Sequence, residues 1–328
     1  MKNIGSYIEL DFEKNHELFK NITQEDLKRL NTCRAAIYHA AICYGVKKIW
    51  IAKYQCDVVK NFLERKGLIV YVYDIDLDFL PLIESNSKDS AIVFTNYFGI
   101  FGDSHFKKFI DKYNNVIIDN AQALFCEPIV NCFNCYSPRK FVGSPDGAYA
   151  IGKNANCFHY NKDLSSISSQ FLLMRYEFGC EGDGYKNKKE NDKRIDDSDI
   201  LEMSDLTYVI LDSIHYDEIK KKRLENFNYA RSLFDEINEL DIDKLIDKDI
   251  VYPMGYPLLI SNLDIISEFH KNKIYQPRFW EYLRDDKYKG TLEKKFADNI
   301  ALICIDQRYG KEEIDFQFEI VKELLHKR

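Results

Sequence analysis

Between residues 48 and 119 the sequence alternates short apolar runs with amphipathic ones, a pattern that few architectures accommodate. KIWIA is followed by the helical pattern CDVVKNFLERKG, then by LIVYVYDI, a loop, AIVFTNYFG, the helical SHFKKFIDKY and NVIID. Strands separated by helices of this length predict a mostly parallel sheet with right-handed crossovers. In such sheets ligands collect at the carboxyl ends of the strands. Those ends carry Tyr54-Gln55-Cys56, Asn96-Tyr97 and Asp119-Asn120-Ala121-Gln122, so polar and aromatic side chains are expected to converge on one rim.

On that rim an apolar strand ends at Asp119, and a second strand leads to Lys140. A lysine amine forms a Schiff base with a carbonyl, and a buried carboxylate holds a pyridine nitrogen protonated so that the ring withdraws electrons. If both side chains face one pocket, the pair suggests pyridoxal phosphate. Taken singly, Lys140 reads as a solvated lysine and Asp119 as a strand-end acid capping a loop. Arg139 is either a neighbour that lowers the lysine's pKa by repulsion or a surface charge.

Composition narrows the partners. A net charge of -7 with no long basic run argues against binding a phosphate backbone, so nucleic acid is not expected. The N-terminal stretch shows no apolar segment followed by a small-residue cleavage site, and no run approaches the roughly 18 apolar residues of a membrane span. A cytoplasmic chain without membrane contact is the expectation. The nine cysteines are odd in number and spread along the chain, which suits reduced thiols better than a disulfide framework. Cys132 and Cys135 form a C-x2-C pair, yet neither a second close pair nor a fourth ligand lies nearby, so no metal is expected.

Elsewhere, residues 14–30 read as a peripheral helix, with Thr23 and Asp26 as a capping pair inside it. Asn31 or Thr32 caps a helix that stops at Gly45. Its free amides, its dipole and Arg34 make a plausible phosphate site; the alternative is a core helix with an exposed arginine. His39 within it reads as a packed core histidine. Pro145-Asp146-Gly147 marks a turn into a strand. Residues 180–200 are charged and glycine-bearing with almost no apolar anchor, and read as a mobile surface loop, an active-site flap or a dimer arm. YDEIKKKRLENFNYARSLFDEIN is a long amphipathic helix linking two domains. After it VYPMGYPLLIS and ALICID read as strands, DIISEFHKN and EEIDFQFEIVKELL as helices. Residues 275–280, Tyr-Gln-Pro-Arg-Phe-Trp, line a substrate entrance or form a core-edge loop. The expected division is a large cofactor-binding domain over 1–202 and a small α+β domain over 203–328.

These motifs resemble those of the DegT/DnrJ/StrS-type family of pyridoxal-phosphate-dependent sugar aminotransferases. DNAQA at 119–123 is similar to the family's Asp-x-Ala-Gln/His-Ala, CYSPRK at 135–140 to its Ser-Phe-x-Pro-x-Lys, and Thr32-Cys33-Arg34 to its Ser-Gly-Thr/Arg phosphate turn. AKYQCDVV resembles the loop after the next strand, and CIDQRYG at 304–310 the late segment ending in arginine. The resemblance implies an α/β, three-layer type I fold with a mostly parallel sheet, and a homodimer with its site near the interface. It also implies transfer of an amino group from glutamate or glutamine to a nucleotide-linked keto-sugar. By the same resemblance Lys140 is the Schiff-base lysine and proton shuttle, Asp119 the partner of the ring nitrogen, and Gln122 a neighbour of the ring. Thr32, Cys33 and Arg34 lie at the phosphate, with Cys135 in the place of the family's phosphate-binding serine and Ser137 or Arg34 compensating. Tyr54 or Tyr97 supplies an aromatic face. Cys33 replaces a glycine, Cys56 the stacking aromatic, and Ile200-Leu201-Glu202-Met203 the Asn-Tyr-Arg-Met of many relatives. Two further readings stay open: a catalytically silent binding or scaffold protein, and a dehydratase or epimerase on the same cofactor.

Overall fold

The structure, a computed structural model, describes residues 7–327. Its first regular element is β1, Leu27–Leu30, followed by α1, Cys33–Cys43; β2, Lys48–Ala52; α2, Asp57–Arg65; β3, Ile69–Tyr73; and β4, Ser90–Thr95. The short α3, Asp103–Lys107, leads to β5, Val116–Asn120; β6, Phe133–Tyr136; and β7, Ala148–Ile151. These strands make one seven-stranded sheet in the order β1-β7-β6-β5-β4-β2-β3. Pairing is parallel from β3 through β6 and antiparallel at β6–β7 and β1–β7, as the βαβ alternation requires of the middle of the sheet. Every residue of β4 and β5 is buried, whereas the edge strand β3 exposes Ile69, Tyr71 and Val72. Central strands covered on both faces are apolar throughout for that reason.

One face of the sheet is covered by α1 and α2, whose Ala35, Ala36, Ala40, Phe62 and Leu63 pack on Ile49, Ile117 and Ala150. The other face is covered mainly by the C-terminal half. That half comprises α4, Gln170–Phe178; α5, Gly182–Asp197; α6, Asp205–Asp212; α7, Tyr216–Phe234; α8, Ile242–Ile246; β8, Tyr256–Leu259; α9, Ile265–Lys271; α10, Leu292–Asn299; β9, Ile300–Ile303; and α11, Lys311–His326. β8 and β9 form a separate antiparallel ladder. Phe227, Tyr256, Leu258, Phe296 and Ile303 share one apolar cluster with Ile92, Phe94 and Ile118 of the sheet. The three-layer architecture expected from the sequence is therefore present. No helix among the described residues is long and apolar enough to cross a membrane.

Two expectations fail. Residues 14–30 form no helix: turns lead into β1, which pairs with β7 in register Leu27 to Ile151. The Thr23 hydroxyl and Asp26 close a turn there, with the Asp26 amide donating to Thr23 Oγ1 at 3.3 Å. Leu27 and Leu30 are buried by sheet pairing, so tertiary contacts override a weak helical period. Residues 180–200 are not a loop but contain the sixteen-residue α5. Its apolar anchor is only Ile195, but Asn191 donates to Pro145 O at 2.9 Å, Arg194 pairs with Asp163, and Lys188 pairs with Asp192 one turn away. A helix this polar persists through such pairs rather than through an apolar stripe.

Candidate active site

The carboxyl ends of β4, β5 and β6 place Thr95, Asp119 and Cys135 in adjacent register. Above them α1 begins. Thr32 is its N-cap, the hydroxyl accepting from the Ala35 amide at 3.2 Å, a contact worth about 1 kcal/mol to the helix. The amides of Cys33 and Arg34 lie in the first turn, where no intrahelical acceptor exists. Both residues line a cavity of about 200 Å³ that Thr32, Asp119, Gln122, Ser137 and Lys140 also line.

Asp119 is 4% exposed and held on both oxygens. Oδ2 accepts from Gln55 Nε2 at 2.9 Å; Oδ1 accepts from the Ala121 amide at 2.9 Å and from the Cys33 thiol at 3.5 Å. Burial, and then the nearby Asp119 carboxylate, pushes the Cys33 thiol well above its ordinary value, so it stays a neutral, weak donor. Lys140 sits at the end of the turn Pro138–Lys140 with its side chain exposed, lining both this cavity and an outer one of about 620 Å³.

The other end of the inner cavity is cationic. Arg34, 7% exposed, donates to Asp196 at 2.8 Å and to the Ile195 carbonyl; Arg139 donates to Asp192 at 2.9 Å. Both carboxylates belong to α5, so the segment expected to be a loose flap closes this side as a helix. The Ser137 hydroxyl, in a buried residue, has no partner among the described residues.

Several anticipated residues take other places. Cys135 is fully buried against α1 and does not line the cavity. Tyr54 and Tyr97 lie in the core behind it, 0% and 1% exposed. They back Trp280, whose ring meets Tyr54 at 4.2 Å and does line the cavity. Trp280 holds a left-handed backbone, φ 53°, a conformation costing a bulky residue about 1–3 kcal/mol unless its surroundings fix it. The Gln122 side chain accepts from the Phe98 amide at 2.6 Å, bracing the turn at Gly99; there a Cβ would meet Gln122 O at 2.4 Å, and φ is +77°. His39 is a core histidine, as expected, bonded to Tyr160 and to the Ala155 carbonyl.

Gln55 and Thr95 went unassigned in the sequence, although both lie at strand ends on the rim. Gln55 Oε1 and Thr95 Oγ1 are buried without a protein partner among the described residues, and both residues line the cavity. Orphaned polar atoms beside a helix N-terminus, a free hydroxyl and two arginines fit a phosphorylated ring that carries its own polar substituents.

No family model matches the chain, and neither does any curated protein sequence. Solved structures do. Spr1654 from Streptococcus pneumoniae, described as a sugar aminotransferase and solved in its PMP form, superposes with a TM-score of 0.65 at 15% identity, covering 94% of this chain and 90% of its own. Sugar aminotransferase CalS13 from Micromonospora echinospora gives 0.58 at 15% identity, covering 91% and 87%. A DegT DnrJ EryC1 StrS aminotransferase from Brucella abortus gives 0.58 at 10% identity, covering 90% and 85%. The chain has the fold of these aminotransferases over nearly its whole length.

Proposed function

We propose that the protein is a pyridoxal-phosphate-dependent sugar aminotransferase. The observation that carries this reading is the placement of Lys140, with a free amine, at the junction of the two cavities, while Asp119 lies fixed on the floor of the inner one. When bound, the cofactor supplies an aldehyde that condenses with amines and a ring that withdraws electrons from them. Asp119, oriented by Gln55 and the Ala121 amide, would face the ring nitrogen and favour its protonated form. The amides of Cys33 and Arg34, the Ser137 hydroxyl and Arg34 hold the phosphate. Trp280 closes one wall against water. Lys140 moves the proton at the donor's α-carbon, as a positioned general base and acid.

Glutamate or glutamine as donor and a nucleotide-linked keto-sugar as acceptor complete the reading. Its assembly would be a homodimer: α4 buries none of its residues, and its Leu173, Tyr176 and Phe178 are 61%, 92% and 59% exposed on different sides of the helix, apolar surface that a second copy would cover. The test is spectroscopic. Protein loaded with pyridoxal phosphate and mixed with glutamate should convert its visible absorption to that of the amine form and release 2-oxoglutarate. One observation favours a second reading, a catalytically silent relative: carboxylates of α5 already occupy Arg34 and Arg139. No spectral conversion in a protein that binds the cofactor would favour the silent relative.

A further inference from the structure

The outer cavity contains an arginine with no bonded acid among the described residues. Arg223 of α7 is 1% exposed, yet it lines the cavity together with Lys140. Its Nε donates to Gln307 Oε1 at 3.0 Å, and its Nη1 donates to the carbonyls of Pro253 and Met254 at 3.0 and 3.1 Å. The guanidinium also lies over the Phe141 ring at 4.7 Å. Its Nη2 has no partner among the described residues, and none of their carboxylates pairs with it. Burial lowers this group to about 10, so it remains cationic at neutral pH. A buried guanidinium without a bonded counter-ion is costly to keep; here neutral oxygens orient it, and the nearby Asp306, whose charge favours its cationic form, is itself bonded to Arg308.

The other charges on the wall are largely committed. Arg308 is bidentate to Asp306 at 2.8 Å, Lys188 pairs with Asp192, Lys273 pairs with Glu181, and Glu313 caps the amide of Gly310. Uncommitted cations at this cavity, among the described residues, are Lys140, Arg175 and Arg223. An uncompensated positive wall beside a free amine calls for an anionic small molecule.

We propose that Arg223 is the carboxylate-binding residue for the amino donor, its free Nη2 holding the donor's carboxylate within reach of Lys140. The inference rests on the aminotransferase reading, but it adds a specificity-determining residue to which neither the motifs nor the strand ends point. Gln307, and the carbonyls of Pro253 and Met254, fix the fork so that one edge alone faces the ligand.

The test uses cofactor-loaded protein and glutarate, a dicarboxylate without an amine, so that binding is read without turnover. In Arg223→Lys the Kd for glutarate should rise about tenfold or more, since one charge-assisted bond is lost, while the Kd for pyridoxal phosphate changes less than about twofold. Equal glutarate affinity in the variant and the parent would overturn the proposal while leaving the cofactor reading intact. Failure of the parent to bind pyridoxal phosphate at all would instead break the function on which it rests. Should Arg223→Lys not fold, a structure of the parent with cofactor and glutarate decides. A carboxylate on Arg223 Nη2 supports the proposal, and a carboxylate elsewhere, or no bound glutarate, overturns it.

Discussion

The inner cavity has two ends built on different terms. At the ring end, the acceptors of Asp119 are satisfied by Gln55, Ala121 and Cys33, all from the rim of the sheet or the start of α1. At the phosphate end, the cations are held by acids from far along the chain: Arg34 by Asp196 and Arg139 by Asp192. The first end is prebuilt and needs no rearrangement to receive a ring. On the proposed reading an incoming phosphate would compete with Asp196 for Arg34, whose Nε alone is unpartnered among the described residues, so the two ends should respond differently to mutation, acid and salt.

The largest expected separation is at Lys140. Lys140→Ala should lower the rate of the half-reaction with glutamate by about 10²–10⁴-fold, the range for a positioned proton-transfer group. Reversible binding of pyridoxal phosphate through the phosphate end should persist, as equilibrium dialysis would show.

Acid offers a second cut. Burial holds His39 down at about 4 against an ordinary 6.5, so its neutral form is the folded one. Because the unfolded state takes up the proton first, stability is complete above pH 6.5 and falls as the pH drops towards 4. The loss reaches about 3 kcal/mol there, each pH unit between the two values being worth about 1.4 kcal/mol. His39 bonds α1 to the Ala155 turn, so acid loosens the helix that carries the phosphate end. Denaturant melts at pH 7 and 4.5 check this, and His39→Gln should flatten part of the dependence.

At the ring end, Asp119→Asn keeps the shape but removes the charge. It should slow the half-reaction by roughly tenfold to 100-fold, as for loss of a charged hydrogen bond, with little change in cofactor affinity. Stopped-flow absorbance would separate the two effects. The smallest effect is Asp196→Asn. That pair is half exposed on the acid's side, 7% and 51%, and so is worth at most about 1 kcal/mol. Freeing Arg34 should tighten pyridoxal phosphate by no more than about fivefold, most visibly at low salt. Weaker binding in this variant would mean that α5 supports the phosphate end instead of competing for it.

The same contrast explains what the sequence made legible. Asp119 and Lys140 sit at the ends of a strand and of the turn after one, where a continuous apolar run and the turn residues mark their positions, although their pairing in one pocket does not follow from either alone. The Thr32 cap followed from local chemistry as well. Arg34's partner did not, because Asp196 lies over 160 residues away, on a helix whose polar composition read as a loop. Trp280 is legible only as part of the 275–280 stretch, an entrance lining or core-edge loop, and not as a wall of the inner cavity. Tyr54 and Tyr97 stood closer to the rim in sequence, but the shared core draws both of them inward and leaves Trp280, from the C-terminal half, at the wall. β1 is not legible locally because its ladder partner, β7, lies more than 100 residues downstream, and the bridge from Leu30 to Glu202 spans still more.

The proposed function requires Lys140 to be the residue that joins the cofactor. Borohydride reduction of the protein saturated with pyridoxal phosphate, followed by peptide mapping, tests this most directly. A single reduced adduct on the peptide containing Lys140 is the predicted result. No adduct, or adducts on other lysines with Lys140 unmodified, would contradict it.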